Sequence, residues 1–455
     1  MPSALQRLLS RRDAADRYDT PPAELLPLQL EAANERLETQ IGQIPLLKNR
    51  AESGGVSTIE RPADLVPLLF AHNTYKTYAE RWLTEGQWDR MARWLATVST
   101  YDAGVGDRGV GGSSFGDVDG LDGWLARLDA QGRYVACSSG TTGKPAMLGA
   151  TEADLDFSAR AQVSAFSWAT GIAPCRDRKF FGLGPRTTVA RNERIRQALV
   201  DAYGSETEEP YQLPVPPITA GSVMAMIMLR RRIAEGDAQP SEVAEFERLS
   251  NERQANMDAA QADAIDALVK ARDQKLLLTG MFASLYPLAA GVREQGYGGG
   301  DFQPDNLMLT GGGLKGAQLP SDYREFVFDT FGLSEERVFH LYSMQEISTV
   351  FPRCRAGRYH VAPWVMALPL DAPGERLLDA SDGEIEARAA FLDLALEGRW
   401  GGVISGDRVH IDFRPCGCGH QGPHIGPDIM RYSDLEGGDK ITCAGTIDAY
   451  IRGSA

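Results

Sequence analysis

Tyr134-Val-Ala-Cys-Ser-Ser-Gly-Thr-Thr-Gly-Lys-Pro145 is the stretch on which the reading of this chain turns. An apolar run delivers it as a strand. Two serines, two threonines and two glycines then fall between Ser138 and Gly143, ahead of Lys144 and Pro145. Glycine lets successive backbone N–H groups turn toward a single anion. The hydroxyls of Ser138, Ser139, Thr141 and Thr142 add donors, Gly140 and Gly143 free the backbone, and Lys144 adds positive charge. This set suits a polyphosphate. It is not a Walker A loop, which needs glycine where Ser138 stands and Ser or Thr where Pro145 stands. A Ser/Gly stretch is ordinarily a turn between strands; the density of donors followed by Lys-Pro favours a ligand.

Working outward, the bulk numbers set limits. The chain has 455 residues, more than one compact core usually holds, so at least two lobes are expected. Its composition, 43% hydrophobic and 24% charged, is that of an ordinary globular protein. A net charge of −15 disfavours nucleic acid or an anionic membrane as partner, since both demand basic patches. The N-terminus has mixed charges and no signal-type apolar core. The longest uncharged apolar stretch, Leu276 to Val292, holds Gly280, Pro287 and Gly291 and is too short for a membrane span. It reads as a buried strand running into a helix. With no export signal, the expected setting is the reducing cytoplasm, where close cysteines suggest metal rather than disulfides.

Residues 22–100 read as mainly helical. Leu25, Leu28, Leu30, Ala33, Leu37 and Ile41 approximate one helical face. A second helix is expected over Thr77–Val98, with Trp82, Trp88, Met91, Trp94 and Leu95 in the core. The glycine-rich residues 102–121 read as a loop. From Gly132 short apolar runs alternate with helices, an α/β pattern. Residues 222–275 read as a surface helical hairpin broken near Gly236 to Pro240. Strands are expected at Asn306–Leu309, Val338–Tyr342, Tyr359–Val361 and Val409–Phe413, with a last pair over Lys440–Arg452.

Ser139-Gly-Thr-Thr-Gly-Lys-Pro145 resembles the signature loop of the acyl-adenylate-forming superfamily, which includes acyl-CoA synthetases, peptide-synthetase adenylation domains and luciferases. Within it the chain looks most like the phenylacetate–CoA ligase branch and the related acyl-protein synthetases. The resemblance spans roughly residues 22–453, with specific motifs from 134 onward. It implies that Thr141, Thr142 and Lys144 hold the ATP phosphates, with Ser138, Ser139, Gly140 and Gly143 around them. Leu309-Thr-Gly-Gly-Gly-Leu-Lys-Gly316 resembles the glycine-rich turn against adenine, which implicates Gly311, Gly312 and Gly313. Phe339-His-Leu-Tyr-Ser-Met-Gln-Glu346 resembles the Tyr-Gly-x-Thr/Ser-Glu motif, so Tyr342 would stack on adenine and Glu346 would help hold Mg²⁺. Ser343 and Gln345 depart from that pattern. Ile404-Ser-Gly-Asp-Arg408 resembles Tyr-Arg-Thr-Gly-Asp, which makes Asp407 the acceptor for the ribose hydroxyls.

Cys354, His360, Cys416 and Cys418 form a Cys₃His set, the ligands of a tetrahedral zinc shell. Glycines in Pro415-Cys-Gly-Cys-Gly419 would let two sulfurs face one ion. The resemblance implies the same: its relatives carry Cys and His at similar places, around a structural zinc. His420 and His424 are alternatives for the imidazole. Cys137, Cys175 and Cys443 read as ordinary core or surface residues.

The fold class expected is α/β: the large N-terminal lobe of an adenylate-forming enzyme, with mixed sheets flanked by helices, a helical N-terminal cap and a zinc knuckle. Its expected parts are a cap region over 1–130, a nucleotide-binding part over 131–335 with a helical insertion at 222–275, and a β-rich part over 336–455. Gly445-Thr-Ile-Asp448 and Ile451-Arg-Gly453 resemble the family's hinge, with Thr446 in place of its ribose-binding arginine. The expected C-terminal lid, with its catalytic lysine, does not follow before Ala455. Lys144 and Lys315 are the candidate stand-ins, and a separate lid chain is one implied partner. The expected activity is ATP- and Mg²⁺-dependent activation of a small carboxylic acid, then acyl transfer to CoA or the thiol of a carrier protein. Phe282, Leu285 and Leu314 are candidates to line an aryl or alkyl acid pocket. The alternative is a catalytically weak scaffold that retains the fold.

Overall fold

The computed structural model describes residues 2–102, 115–116, 118–137, 144–311, 317–380, 383–435 and 438–439. Two units emerge. The first joins 1–161 to 343–455, and the second is the continuous stretch 162–342.

In the first unit the long strand Gly402–Asp412 pairs antiparallel with Ile385–Asp393, which pairs in turn with Val365–Leu370. On its other side lie His424–Ile425 and then Tyr359–His360. Two short pieces complete this sheet along Gly402–Asp412: Phe70–Ala71, parallel, and Met430–Arg431, antiparallel. The register places Phe70 opposite Val403 and Asp407 opposite Arg431. A separate hairpin pairs Tyr134–Cys137 with Met147–Ala150, so the apolar run before the phosphate-type loop is a strand as expected.

Helix Pro22–Gln40 begins with proline at its first position, where the missing N–H leaves no extra orphan. Its buried face is not the leucine stripe expected from the sequence. Leu25, Ala33 and Leu37 are buried, but so are Gln29, Arg36 and Gln40. These polar side chains donate to the carbonyls of Pro363, Leu394 and Leu396, satisfying loop backbone that lacks strand partners. The single helix expected over Thr77–Val98 is two, Glu80–Thr84 and Trp88–Val98. Gly86 between them takes φ +65°, a left-handed conformation open to glycine, and ends the first helix there.

The second unit is built on a parallel sheet. Its strands run Tyr211–Gln212, Lys179–Gly182, Leu276–Thr279, Leu307–Gly311 and Val338–Tyr342 across the sheet. Leu276, Leu277 and Leu278 are all fully buried, because helices cover both faces of a parallel sheet. The stretch from Leu276 is the expected strand-into-helix, continuing as helix Phe282–Glu294. The expected helical hairpin is present as Ala220–Glu235 and Pro240–Lys270, turned at Gly236 with φ +78°. No helix among the described residues is long and apolar enough to cross a membrane. The strands expected over Lys440–Arg452 lie outside the described residues, as does most of the glycine-rich stretch 102–121.

Candidate functional site

The four residues of the Cys₃His set converge in the first unit. The ligand atoms of Cys354, His360, Cys416 and Cys418 all lie within 4.8 Å of one another. The Cys354 and Cys416 sulfurs are 3.8 Å apart, and Cys418 Sγ is 3.3 Å from His360 Nε2. A tetrahedron with metal–sulfur bonds of about 2.3 Å has a sulfur–sulfur edge of about 3.8 Å, so the spacing fits one four-coordinate ion. Two tight turns present the thiols. Gly357 N–H donates to the Cys354 carbonyl and Gly419 N–H to that of Cys416, each at 2.8 Å. Gly357 and Gly419 take φ +76° and +105°, which favours glycine at both. His360, fully buried, is the imidazole of the set. His420 instead bonds Asp19, and His424 stacks beside His360 at 5.8 Å. Burial, with help from His424 and His420, pushes the His360 pKa down to about 3, so its ring is neutral as a ligand must be. Tyr18 packs on His360, and its carbonyl accepts from Gln421 and Gly422 N–H.

Asp407 stands near the middle of strand Gly402–Asp412, 8% exposed. Its N–H donates to Ser405 Oγ, and Arg431 Nε lies 3.8 Å from its carboxylate. Arg388 braces this bend. It is buried and donates to the Ala372 carbonyl, the Ser405 carbonyl and Asp439, with its guanidinium 3.8 Å above the Tyr432 ring. Asp439 also lies 3.7 Å from His72 Nε2. His72 follows Phe70–Ala71 directly, so the parallel pairing with Val403–Ile404 carries it alongside Gly406, where an added Cβ would sit 3.4 Å from His72 Cε1. Burial lowers the His72 pKa, partly opposed by Asp439 and Glu346.

Glu346 and Lys144 meet the same short run. Arg399 is buried and holds the Gln345 and Glu346 carbonyls at 3.1 and 3.0 Å, with Gly149 on its other nitrogen. Burial lowers the Lys76 pKa, and the Glu346 carboxylate opposes it. Two residues on, Tyr78 accepts from Lys144 Nζ through its carbonyl at 2.6 Å and donates its hydroxyl to the Pro145 carbonyl at 2.7 Å. Asp407's strand, Glu346 and Lys144 thus each adjoin a residue of one stretch, at His72, Lys76 and Tyr78 in turn.

In the second unit Gly311 closes strand Leu307–Gly311 opposite Leu341, and Tyr342, 8% exposed, closes Val338–Tyr342. Both stand at carboxyl ends of parallel strands, where open α/β sheets bind ligands. Phe282 is nearly buried within an aromatic group with Tyr323, Phe328 and His340. Leu285 is wholly buried in the core, a correction to its expected place in a pocket wall. Ser138, Ser139, Gly140, Thr141, Thr142, Gly143, Gly312, Gly313, Leu314, Lys315, Cys443 and Thr446 lie outside the described residues. Cys137 has its sulfur 3.4 Å from that of Met147, and Cys175 is exposed; neither joins the metal set.

The sequence alone did not single out His72, Lys76, Tyr78, Arg388 or Arg399. Their functional weight comes from pairing between the chain's early residues and strand Gly402–Asp412, for which Phe70–Ala71 offers only two residues of pattern. Arg388 carried a usable signal: a lone arginine inside the apolar run Ala387–Leu392.

No family model matches the sequence, and no curated protein matches it. Solved structures do. One is an open conformation of 2-hydroxyisobutyryl-CoA ligase in complex with 2-HIB-AMP and CoA, with a TM-score of 0.56 and 14% identity over 94% of this chain and 79% of that one. The same ligase in its thioesterification state, again with 2-HIB-AMP and CoA, gives 0.55 and 14% over 93% of this chain and 70% of that one. At that identity the likeness speaks for the backbone alone: this chain shares the fold of that CoA ligase.

Proposed function

We propose that this protein activates a carboxylic acid with ATP. A carboxylate oxygen attacks the α-phosphorus, the bond from that phosphorus to pyrophosphate breaks, and acyl-AMP results. The acyl group then passes to a thiol, of CoA or a carrier protein, with release of AMP. The observation that carries the reading is that Asp407's strand, Glu346 and Lys144 adjoin His72, Lys76 and Tyr78 of one short stretch, in a chain with an adenylating ligase's fold.

Asp407 is assigned to the ribose hydroxyls, which a carboxylate accepts from. Lys144, Thr141 and Thr142 are assigned to the phosphates, with Ser138, Ser139, Gly140 and Gly143 forming the turn. Gly311, Gly312, Gly313 and Tyr342 are assigned to adenine. Glu346 is assigned to Mg²⁺, which when bound would neutralise charge on the phosphates. The Cys354, His360, Cys416 and Cys418 set is assigned to structural zinc: four protein ligands leave no open position for water. The phenylacetate–CoA ligase branch and a cytoplasmic setting remain part of this reading, from the motifs and the close-set thiols.

The test is carboxylate-dependent exchange of labelled pyrophosphate into ATP, over a panel of aryl and alkyl acids with Mg²⁺. Exchange with at least one acid, reduced about tenfold or more by Asp407→Asn, is the expected outcome. Absence of exchange from folded, zinc-loaded protein across the panel refutes the reading.

A further inference from the structure

Tyr78 is gripped twice by one short segment. Its hydroxyl donates to the Pro145 carbonyl at 2.7 Å, and its own carbonyl accepts from Lys144 Nζ at 2.6 Å. The same ammonium lies 4.8 Å from the centre of its ring, within cation–π range. The ring is fully buried, with Trp94 edge-on at 5.0 Å, and Trp94 Nε1 donates to Thr77 Oγ1. Lys144 therefore has a defined seat in the absence of nucleotide, made by a residue far from it in sequence. That seat belongs to the run whose earlier members, His72 and Lys76, adjoin Asp407's strand and Glu346.

We infer that Tyr78 is a positioning residue for the ATP phosphates: it fixes where Lys144 begins and anchors the Lys144–Pro145 segment from which the ammonium reaches them. The inference rests on the proposed function and deepens it. A lysine on a long flexible stem loses much rotamer freedom when it is fixed on a phosphate. A seat on Tyr78 removes part of that freedom beforehand, and the hydroxyl bond to Pro145 keeps the segment from swinging away. Tyr78→Phe keeps the ring, the carbonyl and the cation–π face and removes only the bond to Pro145.

The experiment compares wild type, Tyr78→Phe and Trp94→Phe. Three quantities are read: KM for ATP, KM for the carboxylic acid, and acetylation of Lys144 by acetic anhydride, scored by mass spectrometry against exposed Lys270. The expected result for Tyr78→Phe is a KM for ATP raised about fivefold, the yield of one ordinary hydrogen bond, with the KM for acid unchanged. Lys144 labelling should rise about twofold or more. Trp94→Phe, which loses packing and the Thr77 bond, should lower thermal stability without moving the KM for ATP. If both KM values shift together, or if Tyr78→Phe matches wild type, the inference falls while the proposed function stands. If wild type binds no ATP, the proposed function falls, and unchanged Lys144 labelling in Tyr78→Phe overturns the inference separately.

Discussion

Replacing Arg388 with methionine removes a buried cation and keeps most of its bulk. The guanidinium supports two carbonyls, Ala372 at 2.7 Å and Ser405 at 3.0 Å, and the Asp439 carboxylate at 3.0 Å. Methionine supplies none of these donors. Breaking a buried pair by removing one partner costs about 3–5 kcal/mol, and two carbonyls left unsatisfied add to the loss. The Asp439 side chain is 16% exposed, so water relieves part of its penalty, and about 3 kcal/mol is the figure expected. With a urea slope of about 3 kcal/mol per molar, the midpoint should fall by about 1 M. Tryptophan fluorescence is the natural readout, because Trp82, Trp88, Trp94, Trp124, Trp364 and Trp400 all belong to the first unit and only Trp168 to the second. Arg388→Lys, which retains charge but cannot reach three acceptors at once, should fall between the two. A midpoint within about 0.3 M of wild type for the methionine variant would show that Arg388 is not bracing the strand that carries Asp407.

Three more outcomes are expected. Elemental analysis should find one zinc per chain; Cys416→Ser should lose it and lower the melting temperature by roughly 10 °C or more, since structural zinc is worth far more than a single contact. Wild type that keeps the three thiols of the set reduced and binds no zinc refutes the assignment. His72 has a folded pKa below its ordinary 6.5, so the unfolded chain binds the proton more readily. Its contribution is therefore intact above about pH 6.5 and drains away as pH falls below that, and His72→Gln should flatten the urea midpoint against pH between pH 7.5 and 5.5. A steeper dependence in the variant contradicts this sign. Gly401→Ala places a Cβ 2.0 Å from the Asp393 carbonyl oxygen, so backbone must move, whereas at Gly291 the nearest atom is the flexible Ile265 Cδ1. Melting curves should show Gly401→Ala losing about 3 kcal/mol or more and Gly291→Ala about 1 kcal/mol; equal losses would undo the distinction.

What the sequence made legible was local or contiguous. The strand into Ser138, the strand-helix at Leu276, the hairpin turned at Gly236 and the Cys₃His set each carry their own signal in residue type and spacing. The Cys₃His set became legible because thiols and imidazoles near glycine turns have few other joint uses. Errors arose where tertiary partners overrode periodicity. The helix Pro22–Gln40 buries Gln29, Arg36 and Gln40 because loop carbonyls at 363, 394 and 396 need donors, a demand invisible from the helix's own pattern. The break at Gly86 is set by one glycine inside an otherwise helical composition. The stretch His72–Tyr78 stayed hidden for a related reason. Its importance depends on a two-residue parallel pairing to a strand more than three hundred positions later, and two residues cannot display a period.

That pairing bears on the order in which the chain matures. Phe70–Ala71 needs a strand that ends at Asp412, and the first unit is interrupted by the whole of 162–342. The interrupting unit pairs Lys179–Gly182, Leu276–Thr279, Leu307–Gly311 and Val338–Tyr342 with one another, and these four strands are all made once the ribosome passes residue 342. At ordinary translation speeds of about 5–20 residues per second, the first 161 residues wait roughly 10–50 s for their sheet. Through that interval Phe70 and Ala71 lack the strand they pair with. Arrest peptides placed before and after residue 412 would register the moment at which the two distant halves pull together.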